Sequence, residues 1–206
     1  MPADYIIGLD LGQARDYSAL AVVERVWKPH ADYAGRLVSH YAIRHLQRWP
    51  LQTSYTAVAA DLAGLVLTPP LSWPVLVVDR TGVGQGVVDF LTKAQLSASL
   101  EAVVITSGQG PSWGERGAWH VPKKELVCCL QGLLQSRRLQ VAALPERTLL
   151  MQEMQSFRVK ITAAANETFG AWRERDHDDL VLAVALAAWW GERHGSLPGK
   201  RPTCRY

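Results

Sequence analysis

Tyr5-Ile6-Ile7-Gly8-Leu9-Asp10-Leu11-Gly12 reads as a buried strand that carries one carboxylate. Its apolar residues fall on both faces, as they do in strands covered on each side. A carboxylate there is costly unless it is paired, hydrogen-bonded or metal-bound. Asp10 is therefore a candidate for metal or phosphate chemistry. The plainer alternative is a strand-end aspartate capping a turn with Gly12. Residues 18–27, rich in Ala and Val, form a second strand, and Leu37–Arg48 a third. Pro29, Asp32 and Gly35 punctuate the link between those two. Three strands with short links make an antiparallel meander.

Beyond the meander the pattern changes to alternating helix and strand. Residues 51–67 have helical periodicity, and Thr68-Pro69-Pro70 stops them. Residues 75–78 are a short strand ending at Asp79, and residues 87–96 a helix. Residues 102–106 are another strand. The glycine-rich stretch 107–118 reads as a long loop, of the kind that is often functional. Helices are expected at 122–136, 145–156 and 178–194, with a short strand at 139–142. Residues 158–172 read as a β-hairpin turning near Asn166. A meander followed by such alternation is an α/β chain with a mixed central sheet flanked by helices. It occupies residues 1–194 as one domain, and residues 195–206 form a loose basic tail.

The carboxylates cluster at element ends. Asp16 follows Asp10 by six residues, and either faces it across a hairpin or is a turn residue. Asp79 ends its strand, where ligands of α/β sheets bind. After it comes Thr81-Gly82-Val83-Gly84-Gln85-Gly86, whose glycines let backbone approach a phosphate or a metal-bound substrate. The spacing is not that of a dinucleotide fingerprint, because Val87 fills the last place. Asp176, Asp178 and Asp179 precede an almost wholly apolar helix. Carboxylates favour helix N-termini, yet one cap needs one aspartate. Asp176 and Asp179 share a face, and Ala183 one turn on lets the helix come close to the sheet, aiming Asp179 at Asp10 and Asp79. Distant carboxylates that converge repel each other, and hard divalent cations give them a reason to meet.

Bulk properties fit this without demanding it. A 206-residue chain with 48% hydrophobic residues can bury a full core. A net charge of +3 permits a polyanionic partner. Paired bases (Lys123-Lys124, Arg137-Arg138, Arg158 with Lys160, Arg173 with Arg175) permit a phosphate-tracking groove. Trp113 and Trp119 are candidates for stacking on bases or sugars. The cysteines, Cys128, Cys129 and Cys204, have no zinc spacing and suit a reducing compartment. The N-terminus lacks signal-peptide features. The apolar run 180–190 is too short to span a bilayer.

Taken in order, Gly8-Leu9-Asp10-Leu11-Gly12 with Asp16-Tyr17-Ser18-Ala19, Val78-Asp79-Arg80-Thr81-Gly82-Val83-Gly84, and His177-Asp178-Asp179-Leu180-Val181-Leu182-Ala183 resemble the nuclease domain of phage large terminase subunits. The likeness runs from about Tyr5 to Trp190. It implies a ribonuclease H-like fold, whose element order the chain also follows, and two-metal cleavage of double-stranded DNA during packaging of concatemeric genomes. The family's catalytic acids map to Asp10, Asp79 and Asp179. Asp16 and Asp178 match further acidic positions of some members, so that all five are expected metal ligands for two Mg²⁺ or Mn²⁺ ions. The partners implied are double-stranded DNA and a separate packaging ATPase, small terminase subunit or portal, with no membrane, in the cytoplasm of the host cell. Large terminases carry a packaging ATPase, and no G-x-x-x-x-G-K-[ST] occurs in these residues. An excised or separately encoded nuclease domain is one reading, and a relative with another job the other. Two further readings share parts of the pattern. Holliday-junction resolvases have the same fold and acidic logic. Ile7-Gly8-Leu9-Asp10-Leu11-Gly12 also looks like the first phosphate loop of actin-like ATPases and sugar kinases, which are longer.

Overall fold

In a computed structural model that describes residues 4–12, 16–82, 84–114, 117–164 and 178–194, the apolar run around Gly8 is the strand β1 (Asp4–Asp10). It is followed by β2 (Ala19–Pro29), β3 (Leu37–Arg48), α1 (Tyr55–Val66), β4 (Val75–Asp79) and α2 (Gly84–Lys93). Then come β5 (Ser99–Thr106), β6 (Ser112–Gly114), β7 (Ala118–Pro122), α3 (Lys123–Gln135), β8 (Leu139–Val141), α4 (Arg147–Ala164) and α5 (Asp179–Arg193). The eight strands form one sheet in the order β6-β7-β5-β4-β1-β2-β3-β8. The expected meander is there: β1, β2 and β3 pair antiparallel. β4 joins β1 in parallel, β5 joins β4, and β7 joins β5. The mixed sheet flanked by helices matches the sequence reading.

Period-two alternation sorts β1 and its neighbours onto two faces. Ile7, Leu9, Leu20, Val22, Leu76 and Val78 pack with the buried stripe of α1 (Val58, Ala59, Leu62, Val66). Ser54 caps that helix, accepting the Ala57 N–H. The opposite face carries Ile6, Ala21, Val23 and Val77 and packs against α5. From Asp179 to Trp189 every position of α5 is buried. A helix apolar all round must be covered all round: the sheet lies on one side, and residues of α3 and α4 (Leu126, Leu130, Leu150, Met154) lie in the same core. Among the described residues no helix is long and apolar enough to cross a membrane.

Two expectations are corrected. The stretch 107–118 is not all loop, because Ser112–Gly114 pairs with the start of β7 as a short edge hairpin. Glycine and proline hide strands this short from a pattern of alternation. The helix expected at 145–156 runs on to Ala164, so the first arm of the expected hairpin at 158–172 is helical. The rest of that hairpin, with Asn166, lies outside the described residues. So do Asp176, His177, Arg173, Arg175 and the tail from 195.

Candidate active site

Asp10 and Asp79 are brought together by strand register. Leu9 pairs with Val78 in the parallel β1–β4 ladder, so the next residues, Asp10 and Asp79, stand side by side where both strands end. Parity puts them on one face. Asp10 follows Ile6 and Gly8, Asp79 follows Val75 and Val77, and all of these point toward α5. The helix comes close because Gly8 has no side chain: a Cβ there would overlap the carbonyl of Ala183. That contact places the first turn of α5, and with it Asp179, over the same strand ends. The close approach expected at Ala183 is thus present. Asp10, Asp79 and Asp179 are 9%, 6% and 6% exposed.

Burial and mutual repulsion act on these acids. The Asp10 carboxyl is held well above the usual range, first by burial and then by the charges of Asp79, Asp179 and Asp178. Burial pushes Asp79 up to about 6, opposed by hydrogen bonds from Thr81 and by the Lys123 charge. The Thr81 N–H donates to Asp79 Oδ1 at 2.7 Å and fixes that carboxylate. Asp179 is pushed up to about 7, by burial first and then by Asp178 and Asp16, against the Arg48 cation.

Asp178 occupies the N-cap position of α5, yet its side chain makes no capping hydrogen bond. Its Oδ2 instead accepts from Lys123 Nζ at 2.8 Å. Asp16 is exposed, in the β1–β2 connection, and its charge bears on Asp179. That connection is tight: a Cβ at Gly12 would overlap the carbonyls of Asp16 and Tyr17. Beside it opens a cavity of about 200 Å³ lined by Gly12, Asp16, Ser18, Pro50 and Tyr55. The five acids expected as metal ligands, Asp10, Asp16, Asp79, Asp178 and Asp179, therefore lie in one neighbourhood, and Asp176 falls outside the described residues.

Arg48 and Glu153, which carry no role in the sequence reading, also belong to this neighbourhood, and so does Lys123, which enters that reading within a basic pair. Lys123, known only as half of a basic pair, opens α3 directly after β7 and reaches Asp178. Arg48 ends β3, beside Ala19, which itself pairs with Asp10. It stacks over Tyr17 at 4.2 Å and lies 3.6 Å from Glu153. Glu153 is 5% exposed and reaches the first turn of α5 from α4. One signal could have exposed it: Glu153 shares a helix face with Leu150 and Met154, both buried. Trp119, by contrast, is not a free stacking platform. It packs against Trp113, Trp189 and His194 with ring centroids 5.2, 6.1 and 5.3 Å away, while Trp113 is 58% exposed.

The donor set fits a hard divalent cation, being carboxylate oxygens that repel one another in a poorly hydrated place. Among the described residues, no group of three or more His, Cys, Asp or Glu side chains is arranged to hold a metal ion as it stands.

No family model matches the chain. Over 183 residues it is 26% identical to the large terminase subunit of Thermus phage G20c, which covers 89% of this chain and 31% of that protein. The chain thus spans about a third of that relative's length. The crystal structure of the large terminase nuclease from thermophilic phage G20c superposes with a TM-score of 0.55 at 22% identity, covering 90% of this chain and 81% of that one. Thermus thermophilus RuvC covers 93% of the chain and 97% of its own, at 13% identity and a TM-score of 0.44, too loose a likeness to argue from. The fold is ribonuclease H-like, and the resemblance to the nuclease domain of large terminase subunits, first carried by the ordered acidic motifs, holds in both sequence and structure.

Proposed function

We propose that the protein is a metal-dependent endonuclease that hydrolyses phosphodiester bonds of double-stranded DNA, as a terminase nuclease does on concatemeric phage genomes. The observation that supports this best is the convergence of three buried carboxylates, from β1, β4 and α5, at the ends of two central strands of the sheet. Asp10, Asp79 and Asp179 are the catalytic acids. With Asp16 and Asp178 they would hold two Mg²⁺ or Mn²⁺ ions. When bound, such ions supply an acidified water and a counter-charge for the leaving oxygen. The chain's own groups do the rest. Asp10, on a central strand, is the most rigidly supported acid. The Thr81 N–H orients Asp79. Lys123, now on Asp178, is placed to turn to a DNA phosphate beside the same strand ends. Partners would be duplex DNA and, in the host cytoplasm, a packaging ATPase, small terminase subunit or portal.

The test is cleavage of supercoiled and linear plasmid in Mg²⁺ or Mn²⁺, with chelator controls. Asp10→Asn, Asp79→Asn and Asp179→Asn should each lower the rate about a hundredfold or more while leaving the circular dichroism spectrum unchanged. Variants that cut at the wild-type rate would sink the assignment.

A further inference from the structure

The N-terminus of α5 is capped from outside. In a helix that caps itself, the N-cap side chain accepts the N–H groups two and three residues on. Here those donors are Leu180 and Val181, and both donate to Glu153 Oε2, at 3.0 and 3.1 Å. Glu153 lies 27 and 28 residues away in sequence, on another helix, and is 5% exposed. Its second oxygen faces Arg48 Nη1 at 3.6 Å. Asp178, the residue at the cap position, takes no part and turns to Lys123.

A buried carboxylate brought in for a job that a local aspartate does well is expensive for stability alone. It becomes intelligible once the local aspartates are needed elsewhere. A carboxylate that accepts two backbone N–H groups is committed in orientation and in lone pairs. With Glu153 taking those bonds, the capping of α5 does not fall to Asp178, and the helix turn that carries Asp178 and Asp179 is fixed beside the strand ends where Asp10 and Asp79 stand.

We propose that Glu153 is the positioning residue of the site: it caps α5 from α4, and so fixes the turn from which Asp178 and Asp179 reach the site. The proposal rests on the metal-dependent reading above. Glu153 has its Oε2 committed to two α5 amides and its other oxygen facing Arg48. It acts through the helix that carries two of the ligands, in the way outer partners of metal ligands set their orientation.

Two variants separate reach from charge. Glu153→Gln keeps the length and an acceptor oxygen but loses the charge. Glu153→Asp keeps the charge but is one methylene too short to cap. Mn²⁺ affinity is measured by calorimetry on the full chain, beside hydrogen exchange of the Leu180 and Val181 amides. Glu153→Asp should bind Mn²⁺ about tenfold or more weakly, with faster exchange at both amides. Glu153→Gln should stay within about threefold of wild type, with exchange nearly unchanged. If Glu153→Asp binds like wild type, or Glu153→Gln falls as far as Glu153→Asp, the positioning role is overturned while the nuclease reading stands. A wild-type protein that binds no Mn²⁺ overturns the metal reading and the proposal together. Should Glu153→Asp not fold, Glu153→Gln decides alone: retained affinity with retained protection of both amides supports the role, and a tenfold loss of affinity with unchanged amide exchange overturns it.

Discussion

At the scale of single residues, opposing terms of different size meet at Asp179. As the first residue of α5 it sits at the positive end of a helix dipole, which favours a carboxylate by about 0.3–1 kcal/mol, less than one pKa unit. Yet it is pushed up to about 7, so burial and the Asp178 and Asp16 charges win over the dipole and Arg48. The linkage sign follows. A carboxyl whose folded pKa lies above its unfolded value binds more protons when folded. Its contribution is fully present below the unfolded pKa, near 4, and is lost as pH rises through the folded pKa. Asp79, at about 6, and Asp10, also raised, act in the same sense. Melting temperatures of metal-free protein should therefore fall between pH 5 and pH 8. Asp179→Asn, which cannot ionise, should melt higher than wild type at pH 8 and show a flatter profile. A wild-type curve that rises over this range, or an Asn variant that follows it, would contradict the shifts. Asp10 is legible in the sequence because it breaks an apolar strand, Asp79 because it ends one, and Asp178 and Asp179 because they exceed what a cap needs, whereas Asp16 reads equally well as a turn residue. Lys123 and Arg48 are not legible, since a surface cation and a site cation look alike until register places them.

At the scale of elements, α5 is held at both ends and in the middle. Glu153 takes its first N–H groups. At the other end Arg25, 8% exposed, donates from Nη1 to the Gly191 carbonyl at 2.7 Å and from Nη2 to Asp4 at 2.9 Å. Glu192 accepts from Ser39, Tyr41 and Arg138. Between these anchors Gly8 sets how near the helix lies to β1. Gly8→Ala has backbone to displace, not a flexible side chain, and should destabilise by about 1–3 kcal/mol in urea unfolding. It should also weaken Mn²⁺ binding, because lifting α5 lifts Asp179 from Asp10. Full stability in that variant would show that the approach is not set by Gly8. Arg25→Met strands a buried carbonyl and should cost about 1–3 kcal/mol by the same measurement, with Mn²⁺ affinity retained. The strands of the meander and β4 were legible from alternation and turn residues, and α5 from its unbroken apolar run. β6 and the far end of α4 were not, because a three-residue strand carries no period and nothing in the sequence of α4 after residue 156 breaks the helix.

At the scale of the whole molecule, the sheet and α5 together hold several carboxylates where they would rather be neutral, and a ligand that prefers the ionised forms gives that stability back. Binding to the folded state alone adds about 2.7 kcal/mol when the ligand is at a hundred times its Kd. For a chain of this size each kcal/mol moves the melting temperature by about 2–4 °C. Saturating Mn²⁺ should therefore raise it by roughly 5–10 °C at pH 8. At pH 5 the gain should nearly vanish, since Asp79 and Asp179 would be protonated below about 6 and about 7 and protons compete for the same oxygens. The net charge of +3 cannot produce this pattern, because a diffuse charge has no reason to favour a cation at one pH and refuse it at another. Asp10→Asn tests whether the gain belongs to the proposed site: removing the Asp10 carboxylate beside Asp79 should abolish it at pH 8. An equal gain at both pH values, or one that survives in Asp10→Asn, would place the ion elsewhere on the protein.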